Sequence, residues 1–196
     1  MKPPDIIEIT FKVVKIFEKF NIGYYIGGSL ASSAYGMARA TLDIDIIADI
    51  KLDQVPAVED ALKKEFYIDI DMIRNAIDKR SSFNLIHLET MFKIDVFILK
   101  NEPYSRKAYS RRLKRVVSED GSKKLYFATP EDTILSKLEW FKTVEESSER
   151  QWKDILGVLK VQGNKLDMNY IRRWAGKLSV LKLLKKAFRD SGVTGQ

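Results

Sequence analysis

The sequence predicts an α+β fold: a mixed β-sheet flanked by helices, followed by a small C-terminal helical lobe. Three observations predict it. Tyr24-Tyr25-Ile26 is a short apolar run stopped by Gly27-Gly28 ahead of a helical stretch, LASSAYG. Asp43-Ile44-Asp45-Ile46-Ile47 alternates with the period of a strand, which puts Asp43 and Asp45 on one face and Ile44 and Ile46 on the other. From Thr129 onward the apolar spacing is helical to the end of the chain.

The first helix is expected over 5–20, where Ile6, Ile9, Val13, Ile16, Phe17 and Phe20 recur at helical spacing and Asn21 and Gly23 end the run. The strand of Tyr24 follows. At its end the two glycines let the backbone turn sharply, and Ser29 is expected to cap the next helix. Backbone N–H groups at such a strand-to-helix turn suit a phosphate. Residues 35–41 read as a loop carrying Arg39, which either contacts a phosphate or stands as a plain surface arginine. The strand of Asp43 and Asp45 comes next.

A helix is expected over 52–66, with Pro56 tolerated in its first turn. Asp69-Ile70-Asp71 repeats the spacing of the two acids, but no glycine turn precedes it and a helical stretch follows. It reads as a helix start with Asp71 as the cap. Residues 82–88 alternate as a strand, with His87 read as a structural histidine in preference to a base. Phe92 to Leu99 is an apolar strand interrupted by Asp95, and a turn near Glu89-Thr90 would join the two as a hairpin. A carboxylate inside such a strand is costly unless it is paired or metal-bound. If this strand lies beside that of Asp43 and Asp45, three carboxylates converge. Oxygen-only ligands of this kind select magnesium or manganese.

Residues 101–124 gather Arg106, Lys107, Arg111, Arg112, Lys114 and Arg115 around Tyr104 and Tyr109. Two readings stay open there: a solvated helix and hairpin, or a surface for a phosphate backbone. Leu125 to Ala128 is a last strand. Thr129-Pro130-Glu131-Asp132 then has the form of a helix start, with a capping hydroxyl, proline at the first position and acids in the first turn. Helices are expected over 130–144, 148–159, 167–175 and 180–188. The domains are accordingly set at 1–128 and 129–196.

Composition bounds the function. The chain has 196 residues, no cysteine and one histidine, which excludes a disulfide framework and a cysteine or histidine-rich zinc centre. Lys and Arg outnumber Asp and Glu by 34 to 27, a balance that favours a polyanionic partner. Acids interrupt the apolar run near the N-terminus, and no run reaches membrane-spanning length. The expected location is cytoplasmic, with no membrane partner.

Gly27-Gly28-Ser29, the Asp43-Ile44-Asp45 strand and Asp95 between apolar neighbours together resemble the DNA polymerase β-type nucleotidyltransferase superfamily. The segment from Ala128 to Leu159 is similar to the helical part of AbiEii-type nucleotidyltransferases, bacterial proteins often found as the toxin of a toxin–antitoxin pair. Pro130, Asp132, Lys137, Arg150, Lys153 and Asp154 match that pattern in order. The resemblance implies a catalytic domain over 1–128 that uses an NTP and two Mg2+ (or Mn2+) ions held by Asp43, Asp45 and Asp95. It implies phosphate contacts from Gly27, Gly28, Ser29, Arg39 and Lys137, with Asp154 near the active site. The implied reaction moves a nucleoside monophosphate to an acceptor hydroxyl, on tRNA, another nucleic acid, a protein or a small molecule of the aminoglycoside kind. A protein antitoxin is the further partner implied. The alternative is a nucleotide- or RNA-binding module that keeps the fold without turnover.

Overall fold

The computed structural model describes residues 6–38, 40–41, 43–145 and 147–193, and these form two compact units. One unit holds residues up to Ile26 together with Thr41–Phe127. The other holds Gly27–Ala40 together with the chain from Ala128 onward.

The first unit is built on a mixed sheet. Helix α1 (Ile6–Lys19) buries Ile9, Val13, Val14 and Phe17 along one stripe, as the spacing predicts. Strand β1 (Tyr24–Ile26) is buried throughout. Strand β2 (Asp43–Ala48) runs antiparallel to it, Ile26 standing opposite Ile46. The helix expected over 52–66 is shorter. A 3-10 turn, Leu52–Gln54, leads into α3 (Val55–Leu62), because proline fits only the first turn. Strand β3 (Phe66–Tyr67) follows. Helix α4 (Ile70–Lys79) is capped by Asp69, not Asp71: Asp69 Oδ1 accepts from Asp71 N at 2.8 Å and Met72 N at 2.9 Å. An extended backbone at Asp69 (φ −122°) leaves its carboxylate free to fold over the exposed amides.

Strands β4 (Ser82–His87) and β5 (Lys93–Ile98) form the expected hairpin, and β5 then lies parallel to β2. His87 is buried with Nδ1 at 2.9 Å from Thr90 Oγ1 and its ring edge-on to Phe66, which suits a structural role. Helix α5 (Pro103–Arg111) precedes a second hairpin, β6 (Leu113–Val116) and β7 (Lys124–Phe127), whose β7 pairs parallel with β1 at Ile26. The sheet order is β3-β4-β5-β2-β1-β7-β6. Its apolar face carries Ile44, Ile46, Phe83, Leu85, Ile94 and Val96, all buried.

The second unit is helical: α2 (Gly28–Tyr35), α6 (Pro130–Thr143), α7 (Glu149–Gln162), α8 (Met168–Lys177) and α9 (Leu181–Ser191). Thr129 caps α6 as expected, accepting from Asp132 N. Asp132 lies in the first turn of α6, as expected. It is buried, and it accepts from the hydroxyls of Thr129 at 2.7 Å and Tyr170 at 2.6 Å, which ties α6 to α8. Helix α2 packs on α6 and α7 within this unit. A Cβ at Gly36 would lie 2.8 Å from Val158 N and 2.9 Å from the Gly157 carbonyl carbon, so only glycine permits that approach. Among the described residues no helix is long and apolar enough to cross a membrane.

Candidate active site

Strand alternation and register assemble the acids. Ile44 and Ile46 on β2, and Ile94 and Val96 on β5, are buried against the core, so the intervening residues must face the other way. In the parallel pairing Asp45 stands directly beside Asp95, and Asp43 beside Lys93. Asp43 is exposed, and Asp45 and Asp95 are half-buried. Asn84 of β4 stands beside Asp95 on its other flank. The three acids foreseen from the sequence thus occupy one face of two central strands.

Lys93 belongs to the same face, and the motif pattern passed over it. Its Nζ lies 2.8 Å from Asp95 Oδ2. The Asp95 hydrogen bond raises the Lys93 pKa above the ordinary lysine value, and the charges of Asp95, Asp43 and Asp45 act in the same direction against an opposing effect of burial. One ammonium therefore feels all three carboxylates. The period of two that placed Asp43 with Asp45 also places Lys93 with Asp95, so the signal was present in the sequence.

The donor set is carboxylate oxygen only, which fits a hard divalent ion. Among the described residues no three His, Cys, Asp or Glu side chains already stand as a closed coordination group. Asp95 is turned onto Lys93, a cation standing where a charge of that sign fits.

The glycine turn leaves β1 at its end. Gly27 caps α2 and Gly28 opens it at φ +53°, a conformation that side chains with a Cβ rarely adopt. Ser29 is not the cap. Because the two glycines complete the turn a residue early, Ser29 already lies in the first helical turn, and Ser32 Oγ donates to its carbonyl at 3.0 Å. Arg39 lies outside the described residues.

In the helical unit, Lys137 of α6 donates to Asp154 Oδ2 at 2.8 Å and Gln151 Oε1 at 2.7 Å. Its side chain is 5% exposed and that of Asp154 is 7% exposed. The structure thus brings two of the sequence candidates together as a buried ion pair. The basic segment is partly committed elsewhere: Arg106 pairs with Asp49 at 2.9 Å, and Arg112 lies 3.9 Å over the ring of Tyr109 and 4.9 Å over that of Tyr126. Lys107, Lys114 and Arg115 are exposed.

No protein-family model and no curated protein matches the chain. Solved structures do. The antibiotic-resistance factor ANT(2'')-Ia in solution superposes with a TM-score of 0.58 over 92% of this chain and 96% of its own, at 11% identity. An antigenic nucleotidyltransferase-like protein from Paracoccidioides brasiliensis gives 0.53 over 97% of each chain, at 14% identity. The chain has the nucleotidyltransferase fold. A crystal structure of ANT(2'')-Ia in complex with adenylyl-2''-tobramycin gives 0.52, covering 94% of this chain and 97% of that one at 14% identity. Within the nucleotidyltransferase fold the sequence expectation of a mixed sheet with flanking helices is met, and Asp43, Asp45 and Asp95 lie on its two central parallel strands.

Proposed function

We propose that the protein is a metal-dependent nucleotidyltransferase that moves a nucleoside monophosphate from an NTP to an acceptor hydroxyl. The observation that carries this reading is the side-by-side placement of Asp45 and Asp95, with Asp43 on the same face, in a sheet of this fold. In the reaction the acceptor oxygen bonds to the α-phosphorus, the bond from that phosphorus to pyrophosphate breaks, and the acceptor proton is given up. Asp43 and Asp45 would hold two Mg2+ (or Mn2+) ions, and Asp95 would complete the second. Such ions supply charge stabilisation of the attacking and leaving oxygens when bound. Asp95 has the further task of orienting the acceptor hydroxyl and receiving its proton.

Gly27 and Gly28 present backbone amides for the β- and γ-phosphates at the opening of α2, and Ser29 adds a hydroxyl there. Arg39 and Lys137 are proposed phosphate contacts, with Asp154 positioning Lys137 through their ion pair. The likeness to AbiEii-type enzymes carries the finer proposal: tRNA or a protein as acceptor, and the toxin half of a toxin–antitoxin pair as biological role, acting in the cytoplasm.

The test is incubation with α-labelled NTP and Mg2+ against total tRNA, bulk protein and an aminoglycoside panel. Label is expected in one acceptor class, with release of pyrophosphate. Tight NTP binding with no transfer to any class would replace the enzyme by a non-catalytic nucleotide-binding module. For the toxin role, expression of the chain alone is expected to arrest growth, and unimpaired growth removes it.

A further inference from the structure

Lys93 has no part in the reaction as proposed, yet it occupies one corner of the acidic array. Strand β5 presents Lys93 and Asp95 to one face, and β2 sets Asp43 beside the first and Asp45 beside the second. Three negative groups and one positive group therefore share four adjoining positions. The Lys93 side chain is 42% exposed and that of Asp95 is 17% exposed, so the bond between them sits at the solvent side of the array, where an ammonium can leave. A lysine stem is flexible and holds its charge at a single point, whereas an arginine fork would clamp the carboxylate with two parallel bonds.

We infer that Lys93 is a tethered counter-ion of the acidic face: it neutralises Asp95 when the face holds no divalent ion, and it gives up that carboxylate when one binds. The inference rests on the reading of the three acids as metal ligands. An ammonium and a divalent ion compete for the same carboxylate oxygens, and within a few ångströms they repel one another. Lys93 thus sets the affinity of the face below what three acids alone would give. It also lets the metal-free sheet hold those acids side by side without their full mutual repulsion.

The experiment is Mn2+ binding to the intact protein, followed by calorimetry and by the melting temperature with and without Mn2+. Lys93→Met is expected to bind Mn2+ roughly three- to tenfold more tightly than wild type, the size of an ammonium–divalent repulsion at about 5 Å in water. It is also expected to melt lower without the ion and to regain the difference with it. Lys93→Arg is expected to bind no more tightly than wild type. If wild type binds Mn2+, Asp45→Asn abolishes binding and Lys93→Met binds no more tightly, the metal site stands and the counter-ion role is overturned. Absence of Mn2+ binding in wild type and Lys93→Met alike overturns both readings. Should Lys93→Met fail to fold, 13C-lysine spectra of the wild type decide. The Lys93 side-chain resonance is expected to move on saturation with Mg2+, and an unmoved resonance with Mg2+ bound overturns the inference.

Discussion

Replacing Lys137 by alanine is expected to destabilise the helical unit severely, before any nucleotide is considered. The pair joins α6 to α7, with Nζ at 2.8 Å from Asp154 Oδ2 and 2.7 Å from Gln151 Oε1. Both charged side chains are more than nine-tenths buried, at 5% and 7% exposure. An exposed pair would be worth at most about 1 kcal/mol. Removing one member of a buried pair instead takes away a charged partner in a poor solvent, a loss of about 3–5 kcal/mol. For a chain of this size each kcal/mol shifts the melting temperature by about 2–4 °C, so Lys137→Ala should melt roughly 6–20 °C below wild type. Lys137→Met combined with Asp154→Leu should recover most of that loss, because both charges of the pair are then replaced by apolar groups. Urea and thermal unfolding of the two single variants and the double variant provide the assay, run without nucleotide. A melting temperature for Lys137→Ala within about 2 °C of wild type would refute the reasoning. So would a double variant as unstable as the sum of the single ones. The same variants carry the proposed phosphate contact forward: a conservative Lys137→Arg that melts near wild type but loses NTP affinity would separate binding from packing.

Asp45→Asn is expected to abolish transfer and Mn2+ binding while the protein stays folded, with an unchanged or higher melting temperature in metal-free buffer; retained transfer in Mg2+ would remove the acid from the site. Gly36→Ala drives a Cβ to within 2.8–2.9 Å of the α7 backbone, and overpacking against backbone should cost about 1–3 kcal/mol in urea unfolding. Wild-type stability there would mean that α2 and α7 can separate freely. The Asp120 carboxyl, held by Ser118 and Ser122 hydroxyls and the Ser122 amide, has its pKa lowered to about 2 from 3.8. Its turn is therefore stabilised fully above the ordinary value and loses that support as pH falls through about 2, which an NMR titration of the side-chain carbonyl should reproduce.

How far the sequence could be read depended on the range of the interaction. Alternation within a strand is local, so Asp43, Asp45 and Asp95 could be assigned faces before their strands were paired. Lys93 obeyed the same rule and was passed over because the acid pattern was read without its neighbours. Capping proved legible in kind but not in residue. Asp69 precedes α4 and Asp71 lies in its first turn, and only backbone dihedrals decide which carboxylate meets the amides. Ser29 lost the cap because consecutive glycines can turn one residue sooner. The partner of Lys137 lay on another helix, and no periodicity announces a contact between elements. The first-turn place of Asp132 was legible, but its bond from Tyr170 of α8 was not, for the same reason.

The grouping of α2 with helices from the far end of the chain has a consequence for how the protein is made. Emerging from a ribosome, the chain lays down Gly28–Tyr35 early, but the helix against which Gly36 packs begins only at Glu149. At about 5–20 residues per second, the nascent α2 waits on the order of ten seconds for that surface. Until α6 and then α7 emerge, its apolar side lacks the two helices it packs on, and β2 must find β1 across an unfinished excursion. Slowing elongation within α6 should lengthen this exposure and raise chaperone demand.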